Sequence, residues 1–108
     1  MMDVRRGTFR YCDEADASGK VIARNLWFWC PGCDQAHRVS ISRTDGKVCW
    51  TFDGNLDCPT IAPSILCLGT LRCHSYLERG RIRFLSDCGH ALKDKTIDMP
   101  PLPKWLTE

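Results

Sequence analysis

The most specific chemical signal in the sequence is Cys30-Pro31-Gly32-Cys33, two cysteines separated by a proline and a glycine. Thiolates at this spacing turn back onto one metal ion, and the glycine permits the tight turn between them. A closed tetrahedral zinc site needs two more donors. Cys73 and Cys88 are nominated because the hairpin pairing set out below puts both on one apolar face. His90 is the first substitute and His37 the second. His37 falls on the apolar side of its own strand, where a hydrogen-bonded core histidine fits as well as a ligand. Cys12, Cys49, Cys58 and Cys67 have no such partner spacing and read as small buried hydrophobes. A redox dithiol is the competing use of the Cys30–Cys33 pair.

A second set of residues has the types needed for nucleophilic catalysis: Ser64, His74 and Asp87. A serine hydroxyl is a poor nucleophile at neutral pH, so it needs an imidazole to take its proton and a carboxylate to orient that imidazole. Two other readings stand beside this one. His74, Asp87 and His90 could hold a metal with open positions for water. Alternatively, Asp87 pairs with Arg72 or Arg83 at the surface, His90 caps a turn, and Ser64 after Pro63 is an ordinary turn residue.

The elements that must position these groups are short strands separated by turn residues, which predicts a mostly β fold of three hairpins around the zinc knuckle. Gly7 to Cys12 and Val21 to Trp29 are rich in β-branched and aromatic residues, with a polar turn-forming stretch between them. Asp45-Gly46 suits a two-residue turn, and pairing outward from it sets Val48, Trp50 and Phe52 on the face of Val39 and Ile41. Asp57 to Ser64, with Pro59 and Pro63, reads as a shaped loop or edge segment rather than a central strand.

The third hairpin, Leu71 to Leu77 and Ile82 to Cys88, turns at Arg79-Gly80. If Glu78 faces Arg81, then Leu71, Cys73, Leu77, Ile82, Phe84 and Cys88 share a core face. Arg72, His74, Tyr76, Arg83, Leu85 and Asp87 share the other, with His74 diagonally across from Asp87. Beyond it, a proline-rich C-terminal tail with Pro100, Pro101 and Pro103 is expected to lie over the surface, held by Trp105.

At 108 residues the sequence suits one domain, 1–108, which buries about 65% of its unfolded surface and benefits from a staple. Eight cysteines far exceed ordinary usage, so disulfides and a metal compete. The start, Met1 to Arg6, has no apolar stretch behind its basic pair, and no run reaches the ~18 apolar residues of a membrane span. A reducing, cytoplasmic location and hence zinc are expected. The net charge is +2 with both signs interspersed, and Arg5-Arg6 reads as a solvated terminus, so neither nucleic acid nor a membrane surface is an expected partner. A phosphate-binding glycine loop, a dinucleotide fingerprint, a His-Glu-x-x-His helix and the zinc-deaminase order are all missing.

Taken together, Cys30-Pro31-Gly32-Cys33, His37, Trp50, Pro59-Thr60, Pro63-Ser64-Ile65, Cys73-His74-Ser75, Asp87-Cys88-Gly89-His90-Ala91-Leu92 and Thr96-Ile97-Asp98-Met99-Pro100 resemble a domain-of-unknown-function family of small bacterial, phage and prophage proteins. Some members are labelled ammonia monooxygenase, a label that nothing in this sequence supports. Other members are encoded beside ubiquitin-like proteins and their activating and conjugating enzymes, in operons associated with phage defence. The resemblance implies a serine peptidase that trims a ubiquitin-like precursor at its carboxyl end, with Ser64 as nucleophile, His74 as base and Asp87 as orienting acid. It also implies that the cysteines build the scaffold. The sequence departs from the family after His90-Ala91-Leu92, where Lys93-Asp94-Lys95 replaces the Ala-Gly-Gln of relatives. A non-catalytic zinc module that binds a partner protein through Trp27, Trp29 and Trp105 is the alternative.

Overall fold

The computed structural model describes residues 8–103, and within them every regular element is a β-strand. The first sheet is built from β1 (Phe9–Ala15), β2 (Val21–Cys30) and β3 (Gln35–Arg43), in that order. The second has five strands in sequence order: β4 (Thr51–Phe52), β5 (Ile61–Leu68), β6 (Arg72–Glu78), β7 (Arg81–Phe84) and β8 (Thr96–Asp98). All neighbours pair antiparallel. No helix is long and apolar enough to cross a membrane. Arg5, Arg6 and Trp105 lie outside the described residues, so the basic pair and the tail anchor do too.

The two sheets share one core. Phe9, Leu26, Phe28, Cys30 and Val39 come from the first; Ile61, Ile65, Cys73, Leu77, Ile82, Phe84, Cys88 and Met99 meet them from the second. Strand alternation accounts for most of this set. In β2, Leu26, Phe28 and Cys30 point inward while Trp27 and Trp29 are half-buried on the outer side. The β6–β7 hairpin has the expected register, with Glu78 opposite Arg81 and Ser75 opposite Phe84. Cys73, Ser75, Leu77, Ile82 and Phe84 are buried along it, and Leu71, placed on that face by the sequence pattern, is 42% exposed before the strand begins.

Two expectations are corrected. The hairpin across Asp45-Gly46 does not form a ladder: β3 pairs with β2, and of the return segment only Trp50 N–H reaches β3, at the Ser40 carbonyl. Asp45 accepts from Arg43 and from the Lys47 N–H, which turns the chain out of the sheet, and Val48 is exposed. Phe52 then joins the second sheet instead.

The proline segment is a loop only as far as Thr60. Residues 61–68 form the strand between β4 and β6, with an irregularity in which Ala62, Pro63 and Ser64 together oppose Tyr76. Pro63 fits there because a bulged residue owes no N–H to the ladder. Thr60 Oγ1 and the Pro59 carbonyl accept from the N–H groups of Arg79 and Gly80, docking the segment on the β6–β7 turn.

Candidate active site and metal cluster

Three neighbouring pieces of the second sheet carry Ser64, His74 and Asp87 on one face. Leu66 pairs with His74, so Ser64, two residues before Leu66, stands diagonally across from the imidazole. The bulge brings its Oγ to 3.0 Å from His74 Nε2. On the other side Leu85 N–H donates to the His74 carbonyl at 2.9 Å, and Asp87, two residues on, reaches back diagonally. Asp87 Oδ2 and Oδ1 stand 3.1 and 3.3 Å from His74 Nδ1. A carboxylate accepts only, so Nδ1 carries the proton and Nε2 is left to accept from the serine hydroxyl. This is the order a hydroxyl needs to become a nucleophile: base at Oγ, orienting acid behind the base.

The surroundings hold each member. Burial would raise the Asp87 carboxyl, but hydrogen bonds from His74 and Arg72 outweigh it and keep the group below the ordinary carboxylate range. Arg72 Nε lies 3.0 Å from Asp87 Oδ2, so the surface ion pair and the contact to His74 coexist. Trp50 Nε1 donates to the Ser64 carbonyl at 3.2 Å. Cys88 Sγ accepts from the His74 N–H at 3.3 Å and donates to the His74 carbonyl at 3.1 Å. Trp50 and Cys88 are the contributors that sequence reading missed. Cys88 was assigned to the metal, and nothing in the pattern signals a thiol bonding to a neighbouring backbone.

On the buried side the ligand atoms of Cys30, Cys33, His37 and Cys73 all lie within 4.8 Å of one another. The knuckle is itself the turn of the β2–β3 hairpin. Asp34 N–H closes onto the Cys30 carbonyl at 2.8 Å, and Cys33 N–H lies 3.4 Å from Cys30 Sγ. The return strand then pairs Gln35 with Cys30 and His37 with Phe28, which puts His37 on the inner face beside Cys30. Cys73 approaches from the opposite sheet, its sulfur 3.9 Å from that of Cys30.

That hydrogen bond from Cys73, opposed by burial, holds the Cys30 thiol down to about 4. The same bond, together with burial, pushes Cys73 up. Burial would lower His37, but the Cys30 and Cys67 sulfurs outweigh it and push the imidazole up to about 10. His37 Nε2 is buried without a hydrogen-bond partner. Three sulfurs and one unpartnered ring nitrogen fit a tetrahedral metal ion.

His37, rather than Cys88 or His90, therefore stands with the knuckle and Cys73. Reading Cys30 to Cys33 as a hairpin turn raises His37 from second substitute to first. Cys88 and His90 gather with Cys73 in an adjacent group of three, where Cys88 is engaged with His74. His90 Nδ1 accepts from Leu92 N–H at 3.2 Å, and its Nε2 is buried without a hydrogen-bond partner. The His90 ring packs edge-on against Phe84 with centroids 4.5 Å apart, and over Gly32. It is buried, away from the face of His74 and Asp87, so the three do not form the hydrolytic metal site considered above. Of the four remaining cysteines, Cys49 is exposed, Cys12 and Cys58 are half-buried, and Cys67 is half-buried against the core.

No curated protein and no solved structure matches the chain. Residues 3–85 match a family described as bacterial ubiquitination-like system serine protease (BubE). That span takes in Ser64, His74 and all four members of the cysteine–histidine cluster, and stops two residues short of Asp87. The chain belongs to the BubE family of bacterial ubiquitination-like system serine proteases.

Proposed function

We propose that the chain is a serine peptidase that processes the carboxyl end of a ubiquitin-like protein precursor, in a cytoplasmic ubiquitination-like pathway acting in phage defence. The observation that carries this reading is the continuous Ser64–His74–Asp87 hydrogen-bond chain in a member of a serine protease family. Ser64 Oγ attacks the scissile carbonyl while His74 Nε2 takes its proton, and Asp87 stabilises the imidazolium through Nδ1–H. His74 then gives that proton to the leaving amine, which departs as the acyl bond to Ser64 forms. A water, deprotonated by His74, then attacks the acyl carbon, and His74 returns that proton to Ser64 Oγ as the ester bond breaks and the new carboxylate leaves. Trp50 and Cys88 fix the backbones of Ser64 and His74, so the nucleophile and base meet without reorganisation.

Zinc is the proposed occupant of the Cys30, Cys33, His37 and Cys73 cluster, since three thiolates and an imidazole are its characteristic structural set. A fully coordinated ion there supplies folding energy and no open position for substrate.

A fluorophosphonate probe tests the reading. Mass spectrometry of the treated protein is expected to find the adduct on Ser64, absent from His74→Ala. An unmodified Ser64 together with tight capture of a partner protein would favour a non-catalytic module instead.

A further inference from the structure

Strand β5 is covered by β4 over only two positions, Thr51 opposite Ala62 and Phe52 opposite Ile61. From Ser64 to Leu68 its outer edge has no strand partner among the described residues. Which backbone groups face that edge follows from the ladder on the other side. Leu85 N–H donates to the His74 carbonyl and Gly89 N–H to the Arg72 carbonyl, so Arg72 and His74 turn their main-chain groups toward β7. Alternation turns those of Cys73 and Ser75 toward β5, onto their partners Cys67 and Ile65. Ser64, Leu66 and Leu68 therefore direct their N–H and C=O groups outward. The Ser64 carbonyl does so visibly, in its bond from Trp50 Nε1.

An open row of strand donors and acceptors is a template for one more strand. The face beside it carries two exposed apolar side chains among the polar ones. Leu66 and Leu68 are 45% and 72% exposed, and lie opposite His74 and Arg72, on the side that carries Ser64 Oγ. The Ser64 carbonyl is taken by Trp50 Nε1, so the free row runs from Leu66 to Leu68, and its place beside the serine favours the molecule cleaved there over any other occupant.

We propose that the edge from Leu66 to Leu68 receives the substrate as an added β-strand, an extended polypeptide segment whose alternate apolar side chains lie against Leu66 and Leu68. This rests on the peptidase reading and names the conformation and side-chain class of substrate it requires. A folded or helical segment does not fit the edge, so the cleavage junction must be an unstructured tail.

Leu66→Pro tests it, because this change deletes an outward N–H that the β6 ladder does not use. With a peptide spanning the cleavage junction of a ubiquitin-like precursor, kcat/KM is expected to fall about tenfold or more, the worth of one good hydrogen bond. Leu66→Ala, which keeps the N–H, should lose less, and fluorophosphonate labelling of Ser64 should persist in both. A scan of the same peptide with single backbone N-methyl groups, on wild-type protein, should slow cleavage at alternate positions only. Unchanged cleavage by Leu66→Pro, or no alternation in the scan, would overturn strand addition while labelling still upheld the peptidase. Dimers that Leu66→Pro dissolves without slowing cleavage would assign the edge to a second copy and overturn it as well. Failure to label wild-type Ser64 would overturn the peptidase reading and this proposal together.

Discussion

Cys88 holds His74 by both of its main-chain polar groups, its sulfur accepting from the N–H at 3.3 Å and donating to the carbonyl at 3.1 Å. The contact ties the turn that carries Asp87 to the strand that carries His74, so the two side chains meet at 3.1 Å. Cys88→Ala is expected to lower kcat about 10- to 100-fold with little change in KM, the cost of a misplaced base. Cys88→Ser, which keeps a donor and an acceptor, should recover part of the loss. Metal content, measured by elemental analysis, should be unchanged in both. Loss of one metal equivalent would instead make Cys88 a ligand.

Asp87→Asn should leave the fold intact and reduce kcat by about 10²- to 10⁴-fold, because the amide no longer fixes the His74 tautomer. Its effect on stability has a defined sign. The folded carboxyl is held below its ordinary value by His74 and Arg72, against burial. It therefore contributes stability that is fully present above the unfolded value of about 3.9 and is lost as the pH falls through the lower folded value. Urea midpoints of wild type and Asp87→Asn should differ at pH 7 and converge as the pH drops below about 4. A gap that widens on acidification would contradict this assignment.

His37→Ala should release the metal and lower Tm by more than about 10 °C, since loss of a structural ion removes several kcal/mol from a domain of this size. Chelation of the wild type should do the same, whereas His90→Ala should keep its metal. A His37→Ala protein with full metal content would return the fourth ligand to Cys88 or His90.

A Cβ on Gly32 would overlap the His90 ring, which is backed by Phe84. Gly32→Ala should therefore destabilise beyond any effect on the turn, and the double variant with His90→Ala should recover part of that loss. Chemical denaturation of the four proteins gives the coupling, and strict additivity would mean that the ring simply moves aside.

The β6–β7 hairpin was legible because its turn, its alternating faces and the diagonal contact between His74 and Asp87 all depend on local register. The second hairpin was not, because Asp45 bonds to Arg43 and to the Lys47 N–H and directs the chain away from the free edge of β3. Pro63 pointed away from a strand by the usual rule. The rule fails at a bulge, where the missing N–H costs nothing, and that bulge is what aims Ser64 at His74. The metal cluster was half legible. Cys30, Cys33 and Cys73 follow from spacing and face, but His37 requires knowing that the knuckle is itself a hairpin turn.

The decisive measurement is the rate at which metal-loaded Ser64→Ala cleaves a carboxyl-extended ubiquitin-like precursor, beside wild type. Loss of at least about 10⁴-fold in kcat/KM, with the metal and the melting curve unchanged, is the predicted result. Cleavage at the wild-type rate would contradict it and leave the pair of sheets without its proposed nucleophile.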